Sequence, residues 1–254
     1  MKKLLLLFLL AFLAVPIASA EESVVTLTTT LDEGASIKLY TWADSMDDAF
    51  TIDWGDGVEK IYNKVKPSWT YGSEITGKLG ASKTITIKGD ITYLEIKEMQ
   101  ISAATFANTK LKEVDMEKNQ LTDFNLSGLP EVTKLSLNEN SIVTFSSTGN
   151  SVLKNLGLKS NKIDSHQFEI SSLANSLEQL NVSENGENFV ALNLINFDKL
   201  QYFTANDNPE LTTVVFYDGS TNLKQISMNN CHIMHFYAIA LLERLSEFRL
   251  GNEI

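Results

Sequence analysis

The chain reads as a mainly β protein. It is expected to be a right-handed repeat solenoid that stacks a parallel sheet along a concave face, with a small β-sandwich in front of it. Three observations predict this. An eleven-position apolar frame returns six times between residues 111 and 233. An asparagine or cysteine holds the same slot in every copy, at spacings of 21, 21, 24, 23 and 23 residues. Residues 22–90 instead carry short β-type runs parted by Gly and Asp, together with all three tryptophans.

The frame is clearest at Leu111, Val114, Met116, Asn119 and Leu121. It returns as Val132, Leu135, Leu137, Asn140, Ile142 and as Leu153, Leu156, Leu158, Asn161, Ile163. Leu177, Leu180, Val182 and Asn185 make a fourth copy. Leu200, Phe203, Ala205 and Asn208 make a fifth, with Leu211 displaced one place by Pro209. The sixth is Leu223, Ile226, Met228, Cys231 and Ile233. Degenerate copies flank the series at Ile91, Leu94, Ile96, Met99, Ile101 and at Leu245, Phe248, Leu250. Alternation with a period of two sends one face of a short strand into the core and leaves the other to solvent. The asparagine amide can satisfy backbone groups that the turn beneath the strand would otherwise bury unpaired. This frame resembles the leucine-rich repeat, whose period spans roughly 20–29 residues. Phe124, Phe145 and Phe236 each fall five places after the ladder residue, with Phe168 and Phe189 nearby. They predict return segments (irregular, 3-10 or helical) filled by stacked phenylalanines.

Ahead of the repeats, Val24–Thr28, Ser36–Tyr40, Phe50–Trp54 and Lys83–Ile87 read as strands, and Trp42, Trp54 and Trp69 as anchors of a sandwich core. Asp53-Trp54-Gly55-Asp56-Gly57 resembles the WGDG signature of polycystic-kidney-disease-type immunoglobulin-like domains. Ser68-Trp69-Thr70-Tyr71, then Gly80 and Thr84–Ile87, are similar to that family's later strand pair, while residues 72–83 are longer and more polar than the family connection. The predicted divisions are a signal peptide at 1–20, the β-sandwich at 21–89 and a solenoid of about seven to eight repeats at 90–254. A solenoid must cover its first apolar edge. Ile85, Ile87 and the run Ile91–Ile96 are the residues expected to enter the first coil and cap it. The pairing of β-domain and repeats resembles secreted bacterial leucine-rich repeat proteins, internalin-like and surface-antigen-type. That resemblance implies protein recognition outside the cell and no catalysis.

Met1-Lys2-Lys3, the apolar run Leu4–Ile17 and the small-residue exit Ala18-Ser19-Ala20 have the order of a secretory signal, cleaved after Ala20. The expected location is therefore extracellular, cell-surface or periplasmic, with no transmembrane segment once the signal is removed. A net charge of −11 opposes binding to nucleic acid and to anionic membrane surfaces. A single cysteine, Cys231, excludes an intrachain disulfide.

Chemistry candidates are few. Asp53 and Asp56, with Asp44, Asp47 and Asp48 as further donors, can be read as a calcium site. Calcium takes six to eight oxygens, so the expectation is a turn in which Asp53 bonds nearby backbone. Cys231, His232 and His235 can be read as a thiol or metal group, but Cys231 holds a ladder slot where a thiol acts as an apolar filler. His166 is the only other histidine. Serine-hydrolase, zincin and phosphate-loop motifs are absent. No catalytic residue, cofactor or metal is expected.

The register names the side chains that a ligand would meet. One column runs Tyr93, Glu113, Lys134, Asn155, Gln179, Tyr202, Gln225, Glu247. The next runs Glu95, Asp115, Ser136, Gly157, Asn181, Thr204, Ser227, Arg249. The third runs Lys97, Glu117, Asn138, Lys159, Ser183, Asn206, Asn229, Gly251. The predicted binding residues are Tyr93, Glu95, Glu113, Asp115, Lys134, Asn155, Gln179, Asn181, Tyr202, Thr204, Gln225 and Arg249. The expected ligand is another protein, met at the early charged positions or around Tyr202. The alternatives are a carbohydrate held by the tryptophans of the β-domain, or self-association through the C-terminal end of the solenoid.

Overall fold

The computed structural model describes residues 21–45, 47–63, 74–216, 222–237 and 247–249. The predicted signal segment, Trp69, Leu245, Leu250 and Gly251 lie outside them. The chain is mainly β, a parallel-stranded solenoid of about 6 turns. No helix among the described residues is long and apolar enough to cross a membrane.

Eight strands open the chain: β1 (Val24–Thr29), β2 (Ser36–Trp42), β3 (Phe50–Asp53), β4 (Lys60–Tyr62), β5 (Glu74–Lys78), β6 (Thr84–Lys88), β7 (Tyr93–Glu95) and β8 (Ile101–Ala107). From there two kinds of short strand alternate. The frame strands are β9 (Glu113–Asp115), β11 (Lys134–Ser136), β13 (Asn155–Gly157), β15 (Gln179–Asn181), β17 (Tyr202–Thr204), β19 (Gln225–Ser227) and β21 (Glu247–Arg249). Between them lie β10 (Asp123–Asn125), β12 (Thr144–Ser146), β14 (Phe168–Glu169), β16 (Ala191–Leu194), β18 (Thr213–Phe216) and β20 (His235–Tyr237).

The frame strands stack in parallel from β7 to β21, and β2 then β5 extend the same sheet antiparallel to ten strands. From β7 to β19 each frame strand buries its middle residue: Leu94, Val114, Leu135, Leu156, Leu180, Phe203 and Ile226. The flanking frame positions, such as Leu111, Met116, Leu153 and Leu158, are fully enclosed as well. A buried Leu or Ile contributes roughly 1.5–3 kcal/mol, yet each coil shields its neighbour's apolar edge rather than its own. The fold therefore stands by stacking.

The ladder does what the residue type predicts. Asn161 Nδ2 donates to the carbonyls of Leu137 and Leu158, at 3.0 and 3.1 Å, and its Oδ1 accepts from Ile142 N at 2.9 Å. Asn140 repeats the pattern on Met116, Leu137 and Leu121, and Asn185 on Leu158, Val182 and Ile163. Asn119 reaches the degenerate first coil, accepting from Met99 N and Ile101 N. Cys231 is buried and donates Sγ–H to Ala205 O at 3.0 Å. Burial pushes its thiol pKa up, which fits a filler and opposes a nucleophile.

The residue before each ladder position (Lys118, Glu139, Ser160, Glu184, Asp207, Asn230) lies in the left-handed region at φ between 55 and 58°. That conformation costs an ordinary L-residue roughly 1–2 kcal/mol. The ladder amide bonds on either side hold it in place.

The return segments differ from expectation. They are strands in parallel ladders, β10-β12-β14 and β16-β18-β20, with Phe124, Phe145 and Phe168 in register. Phe145 and Phe168 rings lie 5.8 Å apart, and Phe168 meets Phe189 edge-on at 6.1 Å. The 3-10 turns Ser165–Gln167 and Ser171–Leu173 fall where the two ladders separate, in the longest repeat.

The N-terminal strands join both faces of the coil stack. β2 pairs with β7, and β1 pairs with β8 within a five-stranded sheet ordered β4-β3-β6-β1-β8. The covering is done by β1 and β2. Ile85 and Ile87, expected to take that part, lie one strand further out in β6, against β1 and β3. A single cluster of buried apolar residues runs from Val25 to Cys231 across both regions. Trp54 is fully buried, its Nε1–H directed at Tyr62 OH. A Cβ on Gly77 would lie 2.1 Å from the Trp54 ring, so only glycine fits there. Trp42 corrects its prediction as a core anchor. It is half-buried, and its ring lies flat on Tyr93, centroids 3.8 Å apart and 5° from parallel.

Candidate functional site

The exposed face of the ten-stranded sheet gathers the predicted binding residues. Pairing runs Tyr93, Glu113, Lys134, Asn155, Gln179, Tyr202, Gln225, Glu247 without a shift, and Glu95, Asp115, Ser136, Gly157, Asn181, Thr204, Ser227, Arg249 beside it. Because alternate side chains share a face, β2 adds Tyr40 and Trp42, which pair with Glu95 and Tyr93. The run Ile37, Leu39, Thr41, all inward, carried that signal in the sequence.

At the early positions the polar groups are engaged with one another. Tyr93 OH donates to Glu95 Oε2, and burial, followed by that bond, pushes its pKa up. Lys97 pairs with Asp115 at 2.6 Å and Glu117 at 3.5 Å. Burial raises the Asp115 carboxyl above its ordinary value against the pull of Lys97. Burial acts the same way on Glu117, but hydrogen bonds from Ser136 and Asn138 and the charge of Lys97 outweigh it and hold that carboxyl low. For Lys97 burial is outweighed by Asp115, and its pKa rises. These groups hold the face together.

Further along the sheet the first column changes character. The side chains of Asn155 and Gln179, the Thr204 hydroxyl and the Tyr202 hydroxyl have no hydrogen-bond partner among the described residues. They lie around a depression of about 310 Å³ lined by Lys134, Ser136, Asn155, Gly157, Gln179, Asn181, Tyr202 and Thr204, with Leu135, Leu156 and Leu180; a Cβ on Gly157 would lie 3.0 Å from the Asn138 side chain, which approaches from the preceding coil. Tyr202 is 38% exposed, and Lys224 Nζ lies 5.7 Å from its ring centre. The third column is spent joining coils, as where Asn206 Oδ1 accepts from Asn229 N and Ser227 Oγ.

Other candidates collect no comparable set. Asp53 Oδ1 accepts from Gly55 N and Gly57 N at 2.8 and 3.0 Å, and Asp56 Oδ1 from Val58 N, which makes the motif a turn. Asp44 bonds Thr92 and Lys112, away from that turn. His232 Nδ1 contacts Pro209 O. Among the described residues no three His, Cys, Asp or Glu side chains come together as a metal site. A larger cavity, about 460 Å³, opens between β14 and β16 against Phe168, Val190, Leu192 and Phe197. Its one carboxylate, Glu169, is held by Ser171 N. Compared with protein-family models, curated proteins and solved structures, the chain matches none.

Proposed function

We propose that this chain is a non-catalytic recognition protein, working outside the cell or at its surface, that binds a partner protein through the exposed face of its long parallel sheet. The observation that carries the reading is the run of side-chain amide and hydroxyl groups around Gly157 that have no partner among the described residues, while the early positions of the face are bonded to one another. A rigid stack of coils presents such groups at fixed spacing, which lowers the ordering cost of binding. The finer parts of the reading are a leucine-rich repeat whose long sheet is concave and a β-sandwich of the polycystic-kidney-disease type that caps it. Both rest on the residue patterns and on the pairing of β1 and β2 with the first coil.

The alternative is a carbohydrate held by the N-terminal tryptophans, of which Trp69 lies outside the described residues. Trp54 is enclosed, and Trp42 spends a ring face on Tyr93. The reading is tested by binding of the full chain to intact cell surfaces, compared with the double variant Asn155→Arg, Gln179→Arg. Saturable binding lost in the variant supports the sheet face. Equal binding by both chains removes it. Light scattering that finds a concentration-dependent dimer would return the C-terminal end of the solenoid to consideration as a contact between copies.

A further inference from the structure

We propose that the cleft between β14 and β16 takes an extended segment of a partner protein, which adds as a strand to the free edge of β16 and sets a basic side chain against Glu169. This contact lies on the second ladder and is additional to that of the long sheet. The ladder breaks here: β14 ends one three-stranded sheet and β16 ends the other. In a parallel strand the main-chain groups of successive residues point to opposite neighbours. Thr213 N donates to Val190 O, so the main chain of Ala191 and of Asn193 faces the cleft. At its mouth Ser165 Oγ accepts from Val190 N and Ala191 N, at 2.9 and 3.0 Å, and so stands in for a neighbouring strand. Further along, the N–H of Asn193 and the carbonyls of Ala191 and Asn193 have no partner among the described residues. The edge also lacks the lysine, proline or bulge that usually blunts an open strand.

The free edge selects a polypeptide, because only main chain repeats donors and acceptors at the strand's own spacing. The opposite wall selects an isolated segment. β14 and the turn Ser171–Leu173 stand where the next strand of a folded partner's sheet would have to run. The same wall excludes a second copy, whose described strands are all paired already. The lining selects side chains. Phe168, Leu192 and Phe197 form an apolar floor, and Ile195 is 41% exposed at the cleft. A strand alternates its faces, so apolar residues at every second place meet that floor. Glu169, the one carboxylate of the lining, accepts from Ser171 N and pairs with no cation among the described residues. The hydrogen bonds of Ser171 hold this carboxyl below the usual range, so it stays charged and favours a lysine or arginine on the segment's other face. His166, also in the lining, is taken up by Asp164 at 3.2 Å. The volume, about 460 Å³, falls within the range of ligand clefts.

The test is fluorescence anisotropy of the full chain with a labelled, end-blocked peptide of alternating valine and threonine that carries one central lysine. The expected result is saturable binding, together with slowed hydrogen exchange at the Asn193 amide. Methylating alternate peptide nitrogens should abolish binding, since it removes main-chain donors and keeps the side chains. Glutamate in place of the lysine should weaken binding about fivefold, the scale of a lost exposed ion pair with like-charge repulsion added, and Glu169→Gln should remove that difference. Asn193→Pro takes away the edge donor without touching the ladder to β18 and should abolish binding. Ile195→Ser, at an exposed position, should weaken it several-fold and covers an Asn193→Pro chain that fails to fold. No saturable binding, or equal binding of the methylated peptide, overturns the proposal. So does a glutamate peptide that binds as tightly as the lysine one. A concentration-dependent dimer that Asn193→Pro dissolves overturns it in favour of a second copy. The double variant Asn155→Arg, Gln179→Arg should bind the peptide like the parent, and a loss there places the peptide on the long sheet instead. Failure of the cleft is thereby told apart from failure of the sheet face.

Discussion

At the first strands of the long sheet Tyr93 is bonded to Glu95, and Lys97 to Asp115 and Glu117, whereas at β13, β15 and β17 the side chains of Asn155, Gln179 and Thr204 have no hydrogen-bond partner among the described residues. Both regions belong to one ladder with one register. By charge alone the early region looks like the binding surface. Its ions, however, are spent on intramolecular partners, and breaking those pairs to admit a ligand exposes partly buried charge without compensation. The middle region has weaker polar groups that are already available. A recognition surface is thus marked by what its side chains leave unpaired, more than by how polar they are.

The largest effect separates two kinds of asparagine six residues apart. Asn161→Ala should cost about 3 kcal/mol or more, because two buried carbonyls and one N–H lose their partner. Asn155→Ala should lie within about 0.5 kcal/mol of the parent, since Asn155 is only half-buried and its side chain has no hydrogen-bond partner among the described residues to lose. Chemical denaturation measures both, and equal losses would break the comparison. Next, Lys97→Met should destabilise by about 1–2 kcal/mol while Gln179→Ala does not, since Lys97 is only about one-third exposed and serves two carboxylates.

The pH dependence follows with a smaller span. Glu117 sits below its ordinary value of 4.5, so its contribution is complete above that pH and is lost as pH falls through the depressed value. Asp115 runs the other way, because its raised carboxyl gains relative stability as pH falls from that raised value toward 3.8. Glu117→Gln should therefore flatten the acid side of the stability profile and Asp115→Asn steepen it. Identical profiles would mean that these carboxylates are not part of the fold's bonding. Smallest of all, Glu139→Asn should stabilise by roughly 0.5 kcal/mol in thermal unfolding, since Asn tolerates the left-handed conformation at φ 56° better than Glu.

Much of the coil stack was legible from residue spacing. Leu111, Val114 and Met116 are buried as the frame requires, and the first two face columns pair residue for residue. The left-handed turn residues were not legible, because Lys118, Glu139, Ser160 and Asp207 share no chemistry. Neighbouring coils, not local propensity, impose the angle. The second pair of parallel ladders was hidden for a related reason. Strands of two to four residues are too short for alternation to declare itself, and they form only when the coils above and below supply partners.

The sequence by itself determined the repeat, the inward and outward assignment of its strands and the ladder that joins them. All three follow from period and side-chain chemistry within one coil. Tertiary structure decided what depends on two or more coils at once. It turned Trp42 outward onto Tyr93, laid β1 and β2 over the first coil and paired the early charges. It also left a depression over Gly157. A glycine in a column is a letter until the side chains of the coils on either side fix the space around it.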